Sequence, residues 1–151
     1  GLVGSEMCIR DRNTATVSGT GITPVTAAET VNAEASPNLA ITKSVSPVPV
    51  TENGTLTYTF RIQNYGSVAA TNTTGVVITD TFAPVLNNLT AALNGTAWTA
   101  ATDYTYNEAT GTFSSTAGAI TVPAATYTQD STTGAWVVTP GESTLVITGT
   151  V

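Results

Sequence analysis

The sequence contains no histidine, a single cysteine and a single methionine, and charged residues make up only 9% of its 151 residues. Histidine is the commonest general base and zinc ligand, so its absence removes every Ser-His or Cys-His nucleophile pair. Threonine, by contrast, occurs 33 times. We therefore expect hydroxyl groups rather than ions to keep the protein in solution, and most hydrolase chemistry is excluded.

Positive charge is also scarce. Four Lys and Arg residues stand against ten Asp and Glu residues, which gives a net charge of −6. Such a chain has no basic stripe to neutralise phosphates, and no apolar run approaches the ~20 residues of a membrane span. We predict neither a nucleic-acid partner nor membrane insertion. The N-terminal residues do not form a signal peptide, so we expect any export signal to lie outside this sequence.

Residues 1–12, GLVGSEMCIRDR, differ in composition from the rest of the chain. They contain Met7, Cys8 and two of the four basic residues. This run resembles a translated sequencing-adapter tract, so we exclude it from the fold analysis; the alternative is a genuine or disordered N-terminal arm. A lone cysteine builds no intrachain disulfide framework and has no histidine to activate it.

From residue 13 onward the pattern is typical of short β-strands separated by Gly, Pro, Asn and Ser. In residues 55–64 the side chains of Leu56, Tyr58, Phe60 and Ile62 share one face, while mostly threonines occupy the other, which is the period of a half-buried strand. Further candidate strands are residues 38–45, 75–81, 97–106, 112–115, 120–122, 135–139 and 143–151. This spacing predicts an all-β, antiparallel sandwich.

Residues 38–82 carry a set of motifs that are weak singly and specific together. They are the ITKS run around Lys43, the acidic-Asn-Gly turn at residues 52–54, the NYGSVAATN loop at residues 64–72 and the ITDTF run at residues 78–82. Together they resemble a conserved surface repeat of bacterial and archaeal surface proteins, known as domain of unknown function eleven. The later segments, up to Val151, are similar to a subset of that family. Residues 13–17, NTATV, resemble the closing strand of such a repeat.

The resemblance implies an Ig-like β-sandwich strung in tandem on extracellular or cell-surface structural proteins, with no enzymatic activity and no cofactor. It divides the chain into residues 13–35, the closing segment of a preceding repeat; residues 36–38, a joint; and residues 39–151, the repeat itself. The sequence ends at ITGTV, without the closing strand expected there. Residues 13–35 are then either the strand that completes another copy's sandwich or a truncated neighbouring repeat. The expected partners are other copies of the protein or neighbouring repeats.

Lys43, Asp80 and Asn13 are candidates for a covalent crosslink. Ig-like modules of bacterial surface fibres can join a first-strand lysine to a closing-strand asparagine beside a buried acid. Burial would favour the neutral amine as nucleophile and let the acid carry a proton. The alternative is that Lys43 is an ordinary edge charge and Asp80 a strand-end turn residue.

Trp98 and Trp136, with the neighbouring tyrosines, are candidates for a sugar-stacking platform, although packing between strands is the commoner fate of such aromatics. The remaining acids predict no catalysis, because nothing in their spacing brings two carboxylates together. No calcium-loop motif is present, so we predict no metal site. The sequence thus favours a structural module, with an adhesin or carbohydrate-binding module as the alternative.

Overall fold

A computed structural model describes residues 8–151, with the side chains of residues 20–21 and 35–151. The described part contains twelve β-strands, one 3-10 turn at Asn72–Thr74 and no α-helix, so no helix there is long and apolar enough to cross a membrane. The strands are β1 (Cys8–Gly19), β2 (Ile22–Glu34), β3 (Leu39–Ser46), β4 (Thr55–Asn64), β5 (Thr79–Thr81), β6 (Asn87–Leu93), β7 (Thr96–Ala97), β8 (Tyr104–Asn107), β9 (Thr112–Ser115), β10 (Thr126–Gln129), β11 (Trp136–Thr139) and β12 (Gly141–Thr150).

The larger sheet has five antiparallel strands in the order β3-β4-β12-β6-β7. The bounds of β4 match the predicted strand, and its apolar face is buried as the period-two pattern predicts. Leu56, Tyr58, Phe60 and Ile62 are 3%, 6%, 3% and 2% exposed. These four side chains face the core of the molecule, which confirms their predicted register.

A smaller antiparallel sheet, in the order β5-β9-β8, packs against this face. Phe82 and Phe113 are almost fully buried between the sheets. The ring centroid of Phe82 lies 4.7 Å from that of Tyr58 and 6.2 Å from that of Phe113. The two sheets therefore share one aromatic core, and the fold is the predicted all-β sandwich.

Two further pairs of strands form separate two-stranded sheets, β1-β2 and β10-β11. In the N-terminal hairpin, Asn13 is in register with Glu29 and Val17 with Val25. Strand β1 begins at Cys8, within the segment 1–12 that the sequence separates from the fold. Residues 1–7 of that segment and the side chain of Asn13 lie outside the described residues.

Several predicted strands are shorter than expected. Residues 97–106 contain a turn, because the Asp103 carboxylate accepts the main-chain N–H of Thr99 at 2.7 Å and Ala101 adopts φ +66°. Only β5 is a strand within residues 75–81, and residues 120–122 supply one isolated bridge, from Val122 to Ala70.

Candidate functional site

The sandwich is open along the edge formed by β3. Leu39, Ile41 and Val45 lie opposite Asn64, Ile62 and Tyr58 of β4 in register. Directly opposed residues of an antiparallel pair share a face, so the three apolar side chains point towards the core side. Ile41 is nevertheless 52% exposed, and all eight residues of β3 are exposed. The smaller sheet therefore does not extend over β3.

The nearest strand of the smaller sheet is β5, which also lies at an edge. Towards β9, the carbonyl of Ile78 accepts the N–H of Ser115 at 2.9 Å, and the N–H of Phe82 donates to Gly111 at 2.8 Å. Main-chain groups alternate in direction along a strand. Those of Val77 and Thr79 therefore point away from β9, and no strand of the described chain pairs with that side.

Lys43 and Asp80 connect the two edges. The Lys43 ammonium, on the inner face of β3, contacts Oδ2 of Asp80 on β5. Oδ1 of Asp80 accepts the N–H of Thr81 at 2.8 Å, whereas the buried Oδ2 has no partner with hydrogen-bond geometry. The contact at Oδ2 is thus ionic. The structure brings these two predicted residues together, while the side chain of the third, Asn13, is outside the described residues.

Three aromatic rings surround the Lys43 ammonium. Nζ lies 4.9 Å from the ring centroid of Tyr58, 5.8 Å from that of Phe60 and 5.5 Å from that of Phe82. Rings at these distances attract a cation through their quadrupoles. The side chain of Lys43 is still 42% exposed, against 19% for Asp80. The pair is therefore held by the core on one side and open to the surface on the other.

Three further acids in the described part of the chain, Asp103, Glu108 and Asp130, are engaged in local structure. Asp103 caps its own turn, as described above, and Glu108 accepts the N–H of Asn88 at 3.3 Å. Hydrogen bonds from the N–H groups of Thr133 and Thr132 lower the pKa of Asp130. None of the described residues belongs to a cluster of three or more side chains suited to binding a metal.

Glu142 is paired across the larger sheet with Arg61. Nε and one terminal nitrogen of Arg61 donate to the two carboxylate oxygens at 2.7 and 2.8 Å. This hydrogen bonding lowers the pKa of Glu142 and raises the pKa of Arg61. Both side chains are exposed on the outer face, so the pair links β4 to β12 at the surface and is remote from the core.

The two tryptophans occupy different environments. Trp98 is half-buried against the core and stacks on Tyr104, with ring centroids 6.4 Å apart and planes at 22°. Trp136 is 55% exposed on β11, beside exposed Val137 and Val138. The two rings make no contact with each other, so they do not form the single platform that the alternative interpretation would use.

The open side was not located from the sequence. The alternation of Leu39, Ile41 and Val45 is typical of any half-buried strand, and exposure of its apolar face depends on which strand lies opposite. The exposed run of Trp136, Val137 and Val138 was likewise missed. The available signal was the run of three consecutive large apolar residues in this four-residue strand. Side chains alternate between the two faces of a strand, and one core can cover only one of those faces.

Comparison of the chain with protein-family models, with curated proteins and with solved structures gave no match. The class of protein is thus defined by its own fold and site: an all-β sandwich with one open side between two edge strands. The resemblance to the conserved surface repeat stays a prediction.

Proposed function

We propose that the protein is a non-enzymatic structural module that associates with other copies through its open side. The observation that carries this proposal is the exposed, inward-pointing apolar face of β3 next to the free edge of β5. An unpaired apolar edge is a template for the addition of a strand from another chain. Strand addition would bury Leu39, Ile41 and Val45 and supply hydrogen-bond partners for the edge of β5.

An extracellular fibre, stalk or surface layer is the setting that we propose for this module. The motif resemblance in residues 38–82 supports that setting. The threonine-rich, sparsely charged composition supports it as well, because β-branched residues paired across strands stabilise sheets without relying on ions. A contact between different surfaces of two copies need not close into a ring, and it then builds an open filament.

The proposal is tested by light scattering and electron microscopy on the full chain over a range of concentrations. We expect association that increases with concentration. Ile41→Glu should abolish it, because a carboxylate would enter the apolar face of β3. Thr42→Glu, one residue away on the outer face of the same strand, is the matched control and should still associate. A chain that stays monomeric throughout, or equal association of both variants, would contradict the proposal.

The contact between Lys43 and Asp80 favours a covalent reinforcement of the same assembly. In this reaction the neutral Nζ of Lys43 attacks the side-chain carbonyl carbon of an asparagine, with Asn13 as the candidate. A new amide C–N bond forms, the bond to the amide NH₂ breaks, and ammonia leaves. Asp80 takes the proton from Nζ and passes it to the leaving nitrogen, so no oxidant or cofactor is needed.

Intact-mass measurement tests the crosslink, because loss of ammonia lowers the mass by about 17 Da per bond formed. We expect that deficit on species that resist boiling in detergent. Lys43→Arg keeps the charge but removes the nucleophile, and Asp80→Asn removes the proton carrier, so both variants should have full mass. Unaltered mass and complete separation of the wild-type chains would rule out the crosslink.

Carbohydrate or adhesive binding is the second candidate function, favoured by the exposed indole of Trp136. If this ring stacks on sugars, Trp136→Ala should abolish retention on a polysaccharide column, and Trp98→Phe should not. Equal retention of all three proteins, or no retention of the wild type, counts against this function.

A further inference from the structure

A second edge of the sandwich lies opposite the open side. Strand β8 is the last strand of the smaller sheet, at the other end from β5. The hydroxyl of Tyr104 crosses to the larger sheet and donates to the carbonyl of Leu89 on β6 at 3.4 Å. The hydroxyl of Tyr106 donates to the carbonyl of Leu86, just before β6, at 2.9 Å. This edge is therefore separate from the surface that we propose for self-association.

A cleft of about 650 Å³ lies between β8 and β6. Ligand sites in proteins commonly have volumes of about 300–1,000 Å³. Leu89 and Ala100 give the cleft an apolar lining, Tyr104 and Tyr106 contribute their side chains, and Glu108 contributes a carboxylate. The cleft is thus large enough for a few residues of a peptide and offers both apolar and acidic contacts.

The main chain of Tyr106 is directed towards the free edge of β8. The carbonyl of Asp103 accepts the N–H of Thr116, which follows β9, at 2.8 Å. Main-chain groups alternate in direction along a strand, so those of Tyr104 and Tyr106 point away from β9. The carbonyl of Tyr104 is used there by the N–H of Ala101 at 2.8 Å. No strand of the described chain pairs with that side of β8, so Tyr106 offers one donor and one acceptor to an added strand.

Glu108 gives the cleft a negative charge. Its Oε1 accepts one long hydrogen bond, from the N–H of Asn88 at 3.3 Å. Residues 35–151 contain two cations, Lys43 and Arg61, and each is paired with a different acid. Glu108 therefore has no cation among the described side chains, and a basic residue of a partner would complement its charge.

We propose that this cleft binds an extended segment of another protein, which adds to β8 at Tyr106 and places a Lys or Arg side chain against Glu108. In strand addition, main-chain hydrogen bonds give affinity and pockets for alternate side chains give specificity. The free edge of β8 calls for an extended main chain, and the carboxylate calls for a basic residue.

The direction of pairing determines the order of residues in the partner. Both strand pairs of the smaller sheet are antiparallel. In an antiparallel addition, the residue opposite Tyr106 comes two positions after the residue opposite Glu108. Directly opposed residues share a face, so the side chain opposite Tyr106 points inwards, to Leu89 and Ala100. The recognised sequence is thus a basic residue, any residue and then an apolar residue.

The probe is the peptide acetyl-Thr-Lys-Thr-Leu-Thr-amide, titrated into the ¹⁵N-labelled full chain and followed by NMR. Three peptides are controls. The first has methionine in place of lysine and removes the charge. The second has the reverse order, acetyl-Thr-Leu-Thr-Lys-Thr-amide, and keeps the composition. The third carries a methyl group on the leucine nitrogen, which removes the donor to the carbonyl of Tyr106.

We expect saturable shifts of the Tyr106 and Leu89 amide signals with the lysine peptide, and weaker binding of all three controls. Glu108→Gln should weaken binding of the lysine peptide about two- to fivefold, the range for an exposed ion pair, and leave binding of the methionine peptide unchanged. Glu52→Gln, at an exposed acid outside the cleft, is the matched control and should bind like the wild type.

Equal affinity for the reversed and methylated peptides would show attraction by charge alone and overturn the strand pairing. The absence of saturable shifts on β8 would overturn the whole inference. Ile41→Glu, the variant expected to abolish self-association, should bind the lysine peptide like the wild type. The peptide site and the proposed self-association can therefore fail independently of each other.

Discussion

The main-chain N–H of Asn38 donates a hydrogen bond of 3.0 Å to Oδ1 of Asn64, which ties the start of β3 to the end of β4. Asn64 is fully buried, and the same oxygen accepts the N–H of Gly66 at 2.9 Å. Its amide nitrogen donates to the carbonyls of Val68 and Pro123 at 2.8 and 3.1 Å. The Asn64 side chain thus links the segment before β3 to the two loops that contain Val68 and Pro123.

Asn64→Ala should destabilise the protein by roughly 2–3 kcal/mol, because it leaves buried main-chain groups without partners. Urea unfolding followed by circular dichroism measures the change. Asn72→Ala, at an exposed asparagine, is the control and should stay within about 0.5 kcal/mol of the wild type. Similar losses in both variants would contradict the structural role of Asn64.

Phe60→Ala should cost roughly 3–5 kcal/mol, because the ring is buried in the core and its removal leaves a cavity. Thr59→Ala, the adjacent residue on the opposite face of β4, should cost less than about 1 kcal/mol. The two free energies of unfolding come from the same urea titration. A larger loss at Thr59 than at Phe60 would reverse the assignment of faces.

Lowering the pH should reduce the stability of the folded protein, in part through protonation of Glu142. The pKa of Glu142 is lowered in the folded state by its hydrogen bonds from Arg61, so its contribution is present above the ordinary pKa of about 4.3 and is lost as the pH falls through the folded value. In Glu142→Gln the midpoint of thermal unfolding should therefore decline less steeply below about pH 4. Part of the pH dependence of stability should remain in this variant, because the pKa of Asp130 is also lowered in the folded state. An unchanged slope in Glu142→Gln would show that the pair does not contribute.

Tryptophan emission should separate the two indoles. Trp136 is exposed and Trp98 stacks on Tyr104. Trp136→Phe should remove the red-shifted emission that acrylamide quenches, while Trp98→Phe should leave it. If association covers β11, quenching of Trp136 will fall with protein concentration. Emission that is equally quenchable in both variants would contradict these environments.

The sequence predicted the bounds of a strand correctly where the residue pattern within the segment itself favours a strand. The alternation in β4 and the Thr-Phe-Ser-Ser run of β9 gave the observed bounds. Strand β6 was not predicted, because NNLTAAL lacks β-branched residues apart from one threonine and becomes a strand by pairing with β12. Propensity is a weak guide where tertiary pairing determines the backbone.

The candidate site was likewise predictable only in part: its residues could be chosen from the sequence, but their contact could not. Lys43 and Asp80 were chosen through the family resemblance, and nothing in their separation of 37 positions shows that they meet. Their contact depends on β3 and β5 being the edges of opposite sheets. Exposure of Ile41 depends on the same long-range arrangement, which a single sequence does not encode in any local pattern.

The ladder between β3 and β4 also determines how the module responds to mechanical load. Eight register pairs, from Leu39 with Asn64 to Ser46 with Thr57, join the first strand of the sandwich to the next. Hydrogen bonds in such a ladder lie perpendicular to the strands. A force applied at Leu39 along the strand direction therefore loads all eight pairs together in shear. The pairs are not broken one after another, as they would be by a force perpendicular to the strands.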